Sequence, residues 1–163
     1  MEFVVDMQGF QNGSKFIVKE IAVLCMNDMH YVTHMFQPPY KWDELSARNK
    51  ATCKWVQNHY HYIPWDHGHL PYDSAKSVIK SVLNDATIVF VKGDQKRKFI
   101  QECVDNTKFI IDLSSTNCPS LAQLQKKPII RCAYHNNTPK KMNCALTNVQ
   151  LLKLWIDENS FDL

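Results

Sequence analysis

The first third of the chain is a series of apolar runs broken by turn residues. Residues 3–6 and 16–25 are rich in Val, Ile and Phe, and Gln11-Asn12-Gly13-Ser14 between them is turn chemistry, so the pair predicts a β-hairpin. A third strand is expected at 30–36, where Gln37-Pro38-Pro39 ends it because proline has no N–H to give to a ladder. Over 43–60 the period changes: Leu45, Cys53, Val56 and Tyr60 return at near-helical intervals, with Asp43 available as a cap. A loop rich in histidine and aromatic residues leads to a helix at 74–83, an apolar strand at 87–91 and a polar helix at 94–104. A short apolar run at 109–113 and a brief helix at 118–124 follow. The chain closes on 145–156, where Leu146, Val149, Leu152, Leu154 and Trp155 share a helical period.

Three antiparallel strands followed by alternating helix and strand predict an α/β domain, a mixed sheet covered by helices on both faces. A length of 163 residues suits one domain spanning 1–163, able to bury a core without disulfides. A composition of 45% hydrophobic and 21% charged residues with only 4 glycines excludes a disordered chain. The net charge of +3 is too small to demand or exclude a polyanionic partner. No run approaches the roughly 18 apolar residues of a membrane span, and Met1-Glu2-Phe3 lacks signal-peptide character, so an intracellular protein is expected. In a reducing compartment the 6 cysteines are not expected to pair. Cys25, Cys53 and Cys103 lie on predicted apolar faces and read as core thiols.

The remaining thiols carry the strongest chemical signal. Cys132, His135 and Cys144 place two soft sulfurs and a borderline nitrogen close together, a donor set that suits tetrahedral Zn²⁺. Three ligands do not close a structural site, and spacing alone equally fits two buried thiols beside a surface histidine. Cys118 is the other cysteine able to compete as a ligand.

The pattern Cys132-x2-His135-x8-Cys144-Ala145-Leu146 ahead of an apolar C-terminal helix resembles the zinc motif of the Maelstrom domain, whose ligands are Glu, Cys, His and Cys. The resemblance implies a glutamate on an early strand, and Phe16-Ile17-Val18-Lys19-Glu20-Ile21-Ala22-Val23 supplies Glu20. It further implies structural zinc held by Glu20, Cys132, His135 and Cys144. The implied fold is an RNase H-like mixed sheet flanked by helices, with the topology of DEDDh 3′-to-5′ exonucleases.

Those exonucleases hold two Mg²⁺ ions on carboxylates, and position by position the carboxylates are missing here. Val4-Val5-Asp6-Met7-Gln8 resembles the first motif with Asp6 kept and Gln8 replacing glutamate. Lys96 or Arg97 stands where the second motif has an aspartate, and Asn143 and Asn148 occupy the acid-base and metal positions of the third. Amides and cations cannot supply the hard anionic oxygens that Mg²⁺ requires. Asp94 is the one acid that a shifted register would bring toward Asp6. The resemblance therefore implies an inactive, exonuclease-like module that binds RNA or protein partners, in a small-RNA silencing pathway. Its alternatives are a ribonuclease that cleaves single-stranded RNA without the DEDDh residues, and a protein scaffold with no nucleic-acid role.

For nucleic acid the candidate contacts are Lys92, Lys96, Arg97 and Lys98 at a helix N-terminus, where phosphates would also meet free N–H groups, extended by Lys126, Lys127, Lys140 and Lys141 if the loops converge. Tyr60, Tyr62, Trp65 and Tyr72 offer faces for base stacking. His59, His61, His67 and His69 have His-x-His spacing but no acidic or thiol partners, which makes a second metal site a weak expectation.

Overall fold

A computed structural model describes residues 1–124, 130–135 and 143–159. Strands β1 (Glu2–Asn12) and β2 (Lys15–Cys25) form a long hairpin around Gly13, whose φ of 62° supplies the left-handed turn that glycine adopts without penalty. Strand β1 runs on past Asp6, where the apolar pattern breaks, because Gln8 is buried like its apolar neighbours. Strand β3 (Tyr31–Met35) pairs antiparallel with β2.

Helix α1 (Ala47–Val56) is capped by Ser46, whose Oγ accepts from the Asn49 N–H at 3.1 Å. The expected cap, Asp43, lies instead in a separate 3-10 turn, Trp42–Glu44. A π-helical turn, Gln57–His61, continues α1 and ends at Tyr62, which takes a left-handed φ of 58°. Then come α2 (Ala75–Val82), β4 (Ile88–Val91), α3 (Asp94–Cys103), β5 (Phe109–Asp112), the short α4 (Leu121–Leu124) and α5 (Ala145–Asn159).

The five strands lie in the order β3-β2-β1-β4-β5, with β4 parallel to β1 and β5 parallel to β4, so β2 alone among them runs against the rest. Helices cover both faces, as the element order predicts. On one, Val4, Ala22, Leu24 and Phe90 pack against Leu146, Val149, Leu152 and Ile156 of α5. On the other, Val5, Met7, Ile21, Val23 and Val89 meet Ala75 and Ile79 of α2 and Phe99, Ile100 and Cys103 of α3. A third cluster, Phe10, Ile17, Leu45, Cys53 and Trp65, seats α1 and the following loop on the far end of the hairpin. Cys25, Cys53 and Cys103 are buried free thiols, and burial pushes Cys103 up to about 11. No helix among the described residues is long and apolar enough to cross a membrane.

One irregularity decides which side chains reach the site. Gln8 faces Glu20 but Gly9 faces Val18, so Lys19 is an extra residue in β2. The bulge inverts the alternation: Glu20 shares the face of Ala22 and Leu24, while Val18 joins Ile21 and Val23 on the opposite one. Lys19 is fully buried, and its ammonium, pulled down to about 8 by burial, donates to the carbonyls of Trp65 at 2.7 Å and His67 at 2.5 Å. Gly9 is required at the bulge, since a Cβ there would lie 1.9 Å from the Ile17 carbonyl oxygen. Gly9→Ala is expected to destabilise the domain by about 3 kcal/mol, because backbone cannot move aside as a flexible side chain would; a shift of the urea midpoint at unchanged slope measures it.

Candidate metal centre

Glu20, Cys132, His135 and Cys144 converge under α5, with one ligand atom of each within 4.8 Å of all the others. The Cys132 Sγ is 3.2 Å from Glu20 Oε2 and 3.0 Å from His135 Nδ1, and His135 Nδ1 is 3.3 Å from Glu20 Oε2. All four are buried, Glu20 at 1% exposure and His135 and Cys144 at 0%. A carboxylate, an imidazole and two thiols without water is a costly set unless an ion or close pairing compensates it. The cluster can hold a metal ion, and Cys118 takes no part in it; that thiol packs in the core beside α5.

Each ligand is held by backbone. Glu20 Oε1 accepts from the Ala145 N–H at 2.7 Å, the first turn of α5, so the helix dipole also faces the anionic group. The Cys132 N–H points at Cys144 Sγ at 3.4 Å. His135 Nε2 lies 2.7 Å from the His61 carbonyl oxygen, which can only accept; Nε2 therefore carries a proton, and Nδ1 faces Cys132 and Glu20 in the cluster.

The hydrogen bond from Cys132 holds Cys144 well down, and the same bond together with burial pushes Cys132 well up. Burial pulls His135 down, yet its hydrogen bonds with Cys144 and Glu20 outweigh that and hold it up to about 10. A metal must displace these protons, so its affinity falls as pH falls.

The same C-terminal segment satisfies the end of the π-helical turn. The last carbonyls of a helix have no partner within it. Here those of Tyr60, His61 and Tyr62 accept from Asn143 N–H (2.8 Å), His135 Nε2 (2.7 Å) and Tyr134 Oη (3.0 Å). His61 itself is buried, donating from Nε2 to the Gly9 carbonyl at 2.9 Å and accepting the Ile63 N–H at Nδ1 at 3.0 Å.

The exonuclease-like positions lie on the same sheet face. Asp6, fully buried, receives Lys96 Nζ on Oδ1 at 2.6 Å and the amides of Gln8 and Asn148 on Oδ2, each at 2.9 Å. A tethered ammonium and two amides thus enclose one carboxylate. Asn143 makes no hydrogen bond to this group. Asp94, the acid that a shifted register would bring in, points away and pairs with Arg97 and Lys98, whose hydrogen bonds lower it.

The basic cluster at α3 is consequently engaged. Lys92 donates to the Cys118 carbonyl at 3.1 Å, Lys96 is bound to Asp6, and Arg97 and Lys98 share Asp94 at 2.8 Å each. Lys126, Lys127, Lys140 and Lys141 lie outside the described residues. Of the stacking candidates, Trp65 is core, 3% exposed with Nε1 bonded to Tyr40, and only Tyr60 is an exposed face, at 41%. The four loop histidines do not converge: His59 stacks on Trp55, His61 is buried, and His67 and His69 meet edge to face. A groove of about 760 Å³ between the hairpin turn, α2 and α3 is lined by Lys15, Tyr72, Lys76 and Asp94 and touches neither centre.

Two outcomes are expected. Lys96→Met leaves the Asp6 charge buried with amides alone and should cost about 3 kcal/mol, most of it recovered when Asp6→Asn is added; a double-mutant cycle in urea measures this. Burial pulls His61 down to about 4 from an ordinary 6.5, so below pH 6.5 the unfolded chain takes up a proton that the folded one refuses. Stability should fall by about 2 kcal/mol between pH 7 and pH 5 from this group, a component that a His61→Gln chain lacks in the same titration.

A scan against protein-family models returns no match for this chain, and a search of curated proteins returns none.

Proposed function

We propose that the chain is a zinc-stabilised, RNase H-like module of Maelstrom type that binds partners, single-stranded RNA foremost, and does not hydrolyse them, in a small-RNA silencing pathway. The single observation that carries the reading is the closure of Asp6 by Lys96, Gln8 and Asn148. A two-metal hydrolase needs several carboxylates around a space for ions. Here one carboxylate remains and an ammonium fills the place of the charge. Mg²⁺ entering beside Lys96 would meet a like charge in a buried setting, where repulsion is strong.

Zinc is favoured over harder ions by the donor set of two sulfurs, one nitrogen and one oxygen. Bonds of about 2.0–2.3 Å to those atoms put the edges of a tetrahedron near 3.5 Å. The contacts of 3.0–3.3 Å among Cys132, His135 and Glu20 need only a slight opening to accept the ion. The sheet order β3-β2-β1-β4-β5, with Asp6 on the central strand β1 and Asn148 on the last helix, supports the RNase H-like assignment.

Purified chain should contain about one zinc per molecule by elemental analysis. Cys132→Ser or Cys144→Ser should lose the metal and much of the stability, since metal-binding energy is folding energy; unchanged melting in both variants would remove zinc from the reading. Single-stranded RNA should survive incubation with Mg²⁺ or Mn²⁺. Degradation that depended on either ion and vanished in Asp6→Ala would overturn the inactive assignment.

A further inference from the structure

Cations without carboxylate partners gather on α1, not on α3. Between Glu44 and Asp66 the sequence holds no acidic residue, and it holds Arg48, Lys50 and Lys54. No ion pair engages any of these three among the described residues. Arg48 and Lys54 are exposed and Lys50 is half-buried. Helical geometry sorts the two sides of α1. Cys53 and Val56 turn inward onto Phe10, Ile17 and Trp65, which leaves Arg48, Lys54 and Trp55 on the outer side.

Trp55 is 58% exposed, an unusual position for the largest apolar side chain. Its indole is not loose. The His59 ring stacks on it at 5.0 Å between centroids and 20° between planes, and His59 Nδ1 donates to the Trp55 carbonyl at 3.0 Å. One face of the indole is thus supported and the other is open. Tyr60, 41% exposed, is the next ring along the same turn. The helix is itself fixed to the hairpin, by Asn49 Nδ2 to Asn12 Oδ1 at 2.6 Å and by Cys53 Sγ to the Gln11 carbonyl at 3.8 Å.

An open aromatic face beside unpaired cations matches a ligand that is both flat and anionic. Single-stranded nucleic acid has that chemistry, with bases free to stack and phosphates to meet Lys and Arg. A duplex keeps its bases inside and offers phosphates only. We propose that Arg48, Lys50, Lys54, Trp55, His59 and Tyr60 form a binding surface for single-stranded nucleic acid, with a base stacked on the open face of Trp55. This surface rests on the reading of the chain as a binding module and names the place where the strand lies.

The test uses the full chain and a labelled oligouridylate of about ten nucleotides at low salt, followed by anisotropy and by tryptophan emission. The strand should bind and quench tryptophan emission. Trp55→Ala should weaken binding about tenfold and remove most of the quench. Arg48→Gln with Lys54→Gln should flatten the logarithmic salt dependence by about 1.4. All three residues are exposed, so melting should not change, and zinc content confirms that each variant is folded. Four results would overturn the proposal: no binding by zinc-loaded chain, equal binding of a duplex, equal Trp55-dependent binding of polyglutamate, or weakening by Arg97→Gln and Lys98→Gln in place of the α1 variants. Binding that persists but depends on Arg97 and Lys98, or that ignores Trp55, would sink this surface alone, whereas no binding at all would also remove single-stranded RNA from the proposed function.

Discussion

Glu20 is a carboxylate in the middle of a sheet at 1% exposure, and what compensates its charge arrives from the far end of the chain. The Ala145 N–H meets one oxygen, and Cys132 and His135 crowd the other. Burying an anion in this way is tolerable only with fixed positive or dipolar partners. The requirement therefore fixes α5 against β2 in both position and register. One turn into α5, Asn148 then falls on Asp6. The Glu20–Cys132–His135–Cys144 cluster and the Asp6 group are consequently two ends of one constraint, joined across the sheet by Gln8, which faces Glu20 in the ladder and donates to Asp6.

At Asp6 the electrostatics are local and closed. One negative charge is matched by one tethered positive charge, and Oδ2 is filled by two amides. A side-chain cation that is already tethered keeps the carboxylate paired at a lower entropy cost than a free ion would. Gln8, Lys96 and Asn148 act together: either amide alone would leave Asp6 short of partners, and Lys96 alone would leave Oδ2 bare. Three side chains that together satisfy one buried carboxylate form a stable core group, in which each contact strengthens the others.

Much of the fold was legible in the sequence because its signals are local. Strand periodicity, the Asn12-Gly13-Ser14 turn and the spacing of Leu146, Val149 and Leu152 each depend on residues close together. Helix α1 was legible but not its cap, because Asp43 and Ser46 are both good cap types and only the 3-10 turn at Trp42–Glu44 separates them. The grouping of Glu20 with Cys132 spans 112 residues and came from family resemblance, not from spacing. The bulge at Lys19 left no pattern to read, since Val18, Lys19 and Glu20 are all buried and alternation is lost there. The ion pairs at α3 were hidden for a related reason: Lys96 meets Asp6 from 90 residues away, and Arg97 and Lys98 meet Asp94 only once the helix forms. Trp55 was passed over because a tryptophan on a helix is ordinarily core, and the signal available was the absence of acids from 45 to 65.

The cluster of Glu20, Cys132, His135 and Cys144 also bears on the face that carries Trp55. The π-helical turn that follows α1 widens the backbone and ends on Tyr62 at a positive φ, a strained conformation for a residue with a side chain. Such a turn persists only where its surroundings fix it. Its three terminal carbonyls are held by Asn143, His135 and Tyr134, each of them within or next in sequence to the Glu20–Cys132–His135–Cys144 cluster. His59 and Tyr60 belong to that turn, so the ring under Trp55 and the ring beside it are held still from behind. A stacking surface that is already ordered loses little side-chain freedom when a ligand arrives. On the proposed reading, an ion held by Glu20, Cys132, His135 and Cys144 would add to affinity from a distance, by keeping this turn in one shape.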